Sequence, residues 1–333
     1  MVAGYPADCV AATLWESLKS CSRSIARLYT NFIMFKLILI ASALSAWGQV
    51  RPLHTRDLTR LSQVQVTAFL KTSDIIFVPV GAVETNGIQP SGRDYVTPLA
   101  YAMAMAQDTG GLYMPGLMWS FPGTTGVASA TINNTPHEGA VFLKTLAASL
   151  LRQGFRRQVY LSASHGPAPL TAGTLVREFF EETRVPILYI NMDTYLPRLQ
   201  LKEEERNRSL YGAHWMTGRI EDLALKGEYG EAATHAAAAV PENKGLATLG
   251  RLGLSGSLSL GSWINDEMAH GPNAALPATA AEREQWGREG QRQIEAIVKR
   301  MRMKEAMEAL REHDRYTQEV IVPRMGKTMP PVR

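Results

Sequence analysis

The stretch IIFVPVGAVETNGIQPSGRDY, residues 75–95, decides how this chain is expected to fold. Its apolar run at 75–80 has the length and composition of a buried strand. The run passes into residues 81–95, where three glycines and a proline exclude an ordinary helix and predict a loop. Glu84 and Asp94 lie ten residues apart in this loop. Two interpretations stay open: a solvated turn, or a loop that aims two carboxylates at a metal.

Strand-length apolar runs alternate with helical patterns along much of the chain. The helix predicted at 135–154 has the clearest ends, with Thr135 as N-cap, Glu138 three residues later and Gly154 as the stop. Such alternation predicts a single α/β domain on a mainly parallel sheet, in which ligands bind where strands end. The strands are predicted at 75–80, 111–119, 155–164 and 185–192, the helices at 97–110, 135–154, 170–184 and 277–310, and a less regular segment at 201–253.

The composition is that of a globular protein with a substantial core. The chain has 333 residues, 45% of them hydrophobic, and a formal net charge of +4. Its 35 basic and 31 acidic residues are interspersed, so the sequence does not predict a nucleic-acid partner. Both cysteines, Cys9 and Cys21, lie near the amino terminus. Any metal bound after residue 21 must therefore take nitrogen and oxygen donors.

The first fifty residues are predicted to be an export signal and an extension before it. From Met34 the chain reads MFKLILIASALSAWGQ, with a lysine, a short apolar run and small residues before Gln49. This order is typical of a secretory signal peptide, and the run is too short to span a bilayer as a stable helix. We expect residues 1–33 to be a non-native or unstructured extension, 34–48 the signal peptide and 49–333 the domain, which is secreted or periplasmic. A buried helix or a membrane anchor is the alternative.

Polar side chains follow several of the predicted strands. Glu84, Asn86 and Asp94 come after the first strand, and His165 follows the third in SASHGPAP at 162–169. The loop SFPGTTG at 120–126 is rich enough in glycine to bring backbone N–H groups close to a ligand. Each feature has an ordinary structural explanation when taken alone. Their occurrence at equivalent ends of neighbouring strands favours a shared site.

Several segments resemble motifs of the creatininase family, creatinine amidohydrolase and its relatives, in the same order along the chain. FPGTTG at 121–126, GFRRQVYLSASHG at 154–166, GEAATHAAAAVP at 230–241 and PATAAEREQWG at 277–287 each resemble one family segment. The resemblance covers about residues 79–300 and implies a three-layer sandwich. In the opening motif the matching residues are Pro79, Val80, Gly81, Glu84, Gly87, Pro90 and Asp94.

The resemblance implies a divalent metal site and a hydrolase that opens a C–N bond of a small cyclic substrate. By position, the metal ligands would be Glu84, Asp94, His165 and Glu231, with His165, Glu231 and Asn86 as catalytic residues. These donors suit Zn or Mn. A metal would polarise a ring carbonyl and activate the attacking water. A cyclic amide, a lactone or a cyclic polyol derivative would suit such a site, and the family also implies a homo-oligomer. After signal cleavage we expect no stable membrane insertion.

The chain departs from the family pattern at Asn86, where the family has a histidine. Amide oxygen is a weaker metal ligand than imidazole, so we expect one metal rather than two. The alternative is a catalytically inactive binding protein that keeps the fold. Aromatic residues are expected either to line the pocket or to pack in the core: Trp119, Phe121, Trp215 and Trp263.

Overall fold

The fold is known from a computed structural model. It describes residues 34, 36, 53–117, 130–132, 134–163, 168–229, 244–252, 275–326 and 328. The chain divides into two compact units, Met1–Pro52 and Leu53–Arg333, and the elements below belong to the second. Within the described residues, no helix combines the length and the apolar character that crossing a membrane requires.

A four-stranded parallel sheet forms the centre of the described structure. Its strands are β1 (Ile75–Pro79), β2 (Leu112–Tyr113), β3 (Arg157–Ser162) and β4 (Leu188–Asn191), in the order β2-β1-β3-β4. Every neighbouring pair runs parallel. The predicted α/β class is confirmed. The sheet is parallel because, before each new strand, a connection that contains a helix returns the chain to the end of the sheet at which the previous strand began.

Helices surround the sheet and account for most of the remaining described residues. They are α1 (Gln63–Leu70), α2 (Arg93–Thr109), α3 (Pro136–Gln153), α4 (Ala168–Thr183), α5 (Met192–Tyr195), α6 (Glu203–Met216), α7 (Lys244–Arg251), α8 (Ala280–Met301), α9 (Met303–Tyr316) and α10 (Val322–Met325). Short 3-10 turns occur at Leu58–Arg60, Leu196–Leu199 and Ile220–Asp222, and a π-helical turn at Thr317–Ile321.

Alternate residues of the central strands enter two separate cores, which produces the three layers. One core holds residues of α2, α8 and α9 together with Ile75, Phe77, Val159 and Leu161. The other holds residues of α1, α3 and α4 together with Ile76, Val78 and Tyr160. Successive side chains of a strand point to opposite faces, so a run buried on both faces needs apolar residues at every position. IIFVPV meets this requirement.

The ends of α3 are those predicted from its sequence. The Thr135 side chain accepts from the Glu138 backbone N–H at 3.2 Å, and the Thr135 N–H donates to the Glu138 carboxylate at 2.8 Å. Gly154 ends the helix in the left-handed conformation with φ 108°. These contacts are local, so the sequence was sufficient to predict them.

The prediction that residues 81–95 form a loop throughout is wrong at its end. Helix α2 begins at Arg93 rather than at residue 97, so Asp94 lies in its first turn. The backbone N–H groups of Tyr95 and Val96 donate to Gly92 O. Both side chains are buried, and their burial favours an earlier helix start than the Thr97–Pro98 pair indicates.

Three other element predictions need correction. The strand expected at 111–119 is only Leu112–Tyr113 within the described part, since Pro115 cannot donate and Gly116 has φ 106°. The helix expected at 277–310 is two helices, separated at Arg302 by a left-handed residue with φ 54°. The segment expected to be irregular, 201–253, contains helix α6. The charged sequence of this helix has little of the apolar periodicity that predicts a helix.

Helix α6 is held against α8 by two glycines whose backbones touch. A Cβ atom built on Gly290 would lie 1.8 Å from Arg208 O, and one built on Gly212 would lie 2.1 Å from the Gly290 carbonyl carbon. The neighbouring atoms belong to the backbone and cannot rotate away. Only glycine at both positions allows the helices to approach this closely.

We therefore expect Gly290→Ala to separate α6 from α8 and to lower the free energy of unfolding by about 2 kcal/mol or more. Urea unfolding of the purified variants measures the change. The control is Gly173→Ala in α4, where an added Cβ meets nothing within 4 Å. That substitution should stabilise by roughly 0.5–1 kcal/mol through helix propensity. A Gly290→Ala protein as stable as the parent would contradict the contact.

Candidate functional site

The loop after β1 passes directly over the first turn of α2. A Cβ atom built on Gly81 would lie 2.7 Å from the Tyr95 Cα, so only glycine permits this approach. The Glu84 N–H donates to Ser91 O at 3.0 Å, which folds the loop back on itself. As a result the loop and the start of the helix, separated along the chain, lie side by side at the carboxyl edge of the sheet.

Glu84 and Asp94 come into contact at this edge. Glu84 is only 3% exposed, and its side chain is hydrogen-bonded to that of Asp94. The pKa of Asp94 is raised well above its usual range, mainly by burial and also by the hydrogen bond with Glu84 and the charge of Glu84, while the charge of Arg93 opposes the rise. Two carboxyl groups in contact cannot both be ionised without a large cost, so the pair shares a proton or a cation.

The pair by itself does not make a complete metal site. Among the described residues, no three histidine, cysteine, aspartate or glutamate side chains come together in a way that could hold a metal. His165 and Glu231, the other ligands implied by the family resemblance, lie outside the described residues. The two acids fit a divalent cation chemically, because hard carboxylate oxygens suit Mn and are also ligands of Zn.

Asn86 is part of a tight turn in the same loop. The residue is 3% exposed, and its Nδ2 donates to Glu84 O at 3.2 Å. The Gln89 N–H donates to Asn86 O at 3.0 Å, and Gly87 between them has φ 61°. The amide therefore helps to hold the backbone beside Glu84. Its role as a catalytic residue stays a prediction.

A third acid near the pair was missed by the sequence analysis. Asp193 follows β4 in the first turn of α5, and its N–H donates to the Asn191 side chain at 3.0 Å. The negative charge of Asp193 contributes to raising the pKa of Asp94 and also that of Tyr189. Its position immediately after a strand is the signal that would have identified it, by the same reasoning that identified Glu84 and His165.

His214 lies on the neighbouring helix α6 and is fully buried. Its Nδ1 lies 3.1 Å from Leu210 O and must carry the proton, because a carbonyl oxygen can only accept. Nε2 has no hydrogen-bond partner among the described residues. The pKa of His214 is lowered from 6.5 to about 4, mainly by burial. The hydrogen bond to Leu210 O and the charge of Asp222 oppose this lowering of the pKa, and the charges of Arg93 and Arg219 add to it. The imidazole is therefore neutral near pH 7.

Of the aromatic residues considered for the pocket wall, only Trp215 is described. Its Cβ lies 2.9 Å from where a Gly287 Cβ would be, and the Arg288 guanidinium lies 5.3 Å from its ring centroid. Trp215 is therefore half-buried against α8, and whether it also borders a pocket stays a prediction. Trp119, Phe121 and Trp263 lie outside the described residues.

A cavity of about 570 Å³ lies away from the carboxylate pair. Met103 and Asp108 of α2 and Glu295 and Lys299 of α8 are among its lining residues. None of the sequence-predicted site residues borders it. This cavity therefore gives no support to the sequence-predicted site, and the carboxyl edge of the sheet remains the stronger candidate.

Comparison with known proteins gives a consistent result. The sequence model of the creatininase family, described as creatinine amidohydrolase, matches residues 59–239. A tryptophan-to-phenylalanine variant of creatininase shares 16% identity with this chain over 78% of this chain and 98% of its own, with a TM-score of 0.51. A crystal structure of creatinine amidohydrolase shares 14% identity over 75% and 97%, with a TM-score of 0.50. At these identities the solved structures support the fold. No curated protein matched the chain in a sequence comparison.

The buried neutral His214 predicts a loss of stability in mild acid. Its pKa is 6.5 when unfolded and about 4 when folded, so between these values the unfolded chain binds a proton that the folded chain does not. The stabilisation is fully present above pH 6.5 and falls by about 3 kcal/mol as the pH drops to 4.

Urea unfolding between pH 4 and 7 tests this prediction. His214→Asn can still donate to Leu210 O but cannot titrate, so its stability should fall less steeply with decreasing pH than that of the parent. An equal slope in both proteins would show that His214 is not buried in its neutral form.

Proposed function

Because this chain belongs to the creatininase family, we propose that it is a metal-dependent hydrolase that opens a C–N bond of a small cyclic amide. The contact between the Glu84 and Asp94 carboxyl groups carries the proposal. The chain has the hydrolase fold of that family, whose members are metal-dependent amidohydrolases. The related solved structures are creatininases. We extend the kind of substrate that this name indicates, a small cyclic amide, to the present chain. A lactone or cyclic polyol derivative would present a similar carbonyl or ring.

The carboxylate pair favours binding of a metal, because a cation offsets the repulsion between the two negative charges. Bringing Glu84 and Asp94 together out of water is unfavourable while both are charged. A proton reduces the repulsion by neutralising one carboxylate. A divalent cation reduces it by balancing the charge of both. Asp193 adds negative charge near Asp94, which strengthens the preference for a cation.

We infer that Glu84, Asp94, His165 and Glu231 would hold the metal, with Zn or Mn as the ion. When bound, such a metal acts as a Lewis acid toward a carbonyl and lowers the pKa of water. The chain's own residues orient the reactants around it. Asn86 holds the loop backbone beside Glu84 through its bond to Glu84 O, and burial of the loop limits access of bulk water.

One observation favours the alternative, a catalytically inactive binding protein. Asn86 stands where the family has a histidine, and its Nδ2 is engaged by the backbone at Glu84 O. The bond through Nδ2 leaves only the amide oxygen as a possible ligand atom, and that oxygen is a weaker metal ligand than imidazole. Metal content separates the two functions, because the inactive protein should hold no tightly bound ion.

We expect the full chain, purified without chelator, to contain about one Zn or Mn per chain and to hydrolyse a member of a cyclic amide panel. Asp94→Asn should lose both the metal and the activity. Asn86→His should raise metal occupancy, because imidazole is the better ligand for Zn. Elemental analysis and isothermal titration calorimetry with Zn and Mn measure these effects.

Two matched controls lie at the opposite edge of the sheet. Asp108→Asn, in the last turn of α2, removes the same charge as Asp94→Asn, and Gln153→His, at the end of α3, adds the same imidazole as Asn86→His. Neither should alter metal content. Parent protein that takes up no metal even after incubation with Zn and Mn would reject the hydrolase and favour the binding protein.

We also propose that the protein is exported and that the mature chain begins near Gln49. The order of charged start, apolar run and small residues after Met34 supports this. Amino-terminal sequencing of the protein from its native host should find residue 49 or a close neighbour at the start. An intact Met1 or Met34 would reject cleavage.

We also propose that the protein is a homo-oligomer, as the family resemblance implies. Sedimentation of the same sample would measure its oligomeric state.

A further inference from the structure

The cavity of about 570 Å³ is bordered by charged side chains of both signs. Its volume lies in the range of small-molecule sites in proteins. Asp108 on its α2 wall follows Asp94 by fourteen residues, so about 21 Å along the helix axis separates this wall from the carboxylate pair. The charged side chains that border the cavity are Arg56, Asp108, Glu295 and Lys299.

These four charges are not paired with one another. In the described part of the chain, none of them takes part in an ion pair. Glu295 precedes Lys299 by four residues on α8, which is the spacing and order that favour a helical ion pair, yet its carboxylate accepts from Gln291 Nε2 at 2.9 Å. Glu284 and Arg288 do pair at the same spacing on this helix, at 3.3 Å. Both signs of charge therefore remain available to a ligand.

The Arg56 guanidinium is held in place at the cavity. Its Nη1 donates to Gly110 O at 2.6 Å and to Gly111 O at 3.4 Å, just beyond the end of α2. Both bonds use Nη1, so Nε and Nη2 keep N–H groups that no described residue accepts. A guanidinium fixed in this way can donate paired bonds to a carboxylate.

Asp108 offers the opposite charge beside this guanidinium. It lies two residues before Gly110, whose carbonyl oxygen holds Arg56, so the two charges border the cavity from neighbouring positions. The Asp108 side chain is partly buried and has no hydrogen bond with a described residue. The negative end of the α2 dipole lies at the same place and favours a cation there. An ammonium group fits this position.

Apolar side chains line the rest of the cavity. Ala104 and Val298 are buried, and Met103 and Met216 are half-buried. Thioether side chains adapt to hydrocarbon groups of different shapes. The cavity therefore suits an apolar body next to two opposite charges.

We propose that this cavity binds a small zwitterion, a free amino acid with an apolar side chain. Arg56 binds its carboxylate, Asp108 binds its ammonium group, and Met103 and Met216 contact its side chain. This site is separate from the proposed hydrolase, because none of the residues assigned to the metal borders the cavity.

Calorimetric titration with matched probes tests the proposal on the full chain, with chelator present to keep metal from binding. L-phenylalanine, L-methionine and L-leucine are each compared with the amide, which lacks the carboxylate, and with the deaminated acid, which lacks the ammonium group. At least one amino acid should bind about tenfold or more tightly than both of its analogues, because each analogue leaves one charge of the cavity without a partner.

Two variants assign the charges to their partners. Arg56→Gln should lower the affinity for the amino acid about tenfold and leave the affinity for the amide unchanged. Asp108→Asn should lower the affinity for the amino acid by a similar factor and leave that for the deaminated acid unchanged. A variant that merely folds poorly would weaken all three probes alike. Exposed residues that do not border the cavity supply the controls, Arg152→Gln and Asp222→Asn, which should change none of the affinities.

The remaining outcomes separate this inference from the proposed function. Absence of amino-acid binding, or equal binding of an amino acid and its analogues, overturns the zwitterion site. Binding that ignores both variants, or variants that weaken every probe alike, also overturns it. The metal content of the protein bears on the hydrolase alone, so amino-acid binding that depends on Arg56 and Asp108 supports this site even in a protein that takes up no metal.

Discussion

The close approach of Gly81 to Tyr95 is the constraint on which the site depends. It brings the backbone after β1 within van der Waals distance of the first turn of α2, which no residue with a side chain would permit. Glu84 on one segment, which is buried, then comes into contact with Asp94 on the other, which is partly buried.

The carboxyl edge of the sheet gathers groups of opposite charge into neighbouring regions. Glu84, Asp94 and Asp193 form an acidic region suited to a cation, and Arg93 lies directly before Asp94. The acidic groups come from the ends of β1 and β4 and the start of α2. Burial strengthens the interaction between these charges, since charges interact more strongly away from bulk water.

Helix α6 contributes to this edge only because of its packing on α8. The contact between Gly212 and Gly290 is a backbone contact, and it fixes the position of the helix that carries His214 and leads into Arg219. His214 is kept neutral by its burial. The position of His214 therefore depends on a contact between two helices that are distant from each other in the sequence.

The sequence by itself determined the class of fold, most of the strands and helices, and the ends of α3. These follow from alternation of apolar residues and from capping contacts that span only a few residues. It also identified Glu84 and Asp94, because acids after a strand-like run are recognisable without knowing what surrounds them.

Only the tertiary structure decided where α2 begins, that α6 is a helix, and that Asp193 lies near the carboxylate pair. The charged sequence of α6 predicts no buried face, and its helix is selected by a glycine contact with residues near 290. The early start of α2 is favoured by burial of Tyr95 and Val96. Both depend on contacts between segments distant in the chain, which local patterns do not encode.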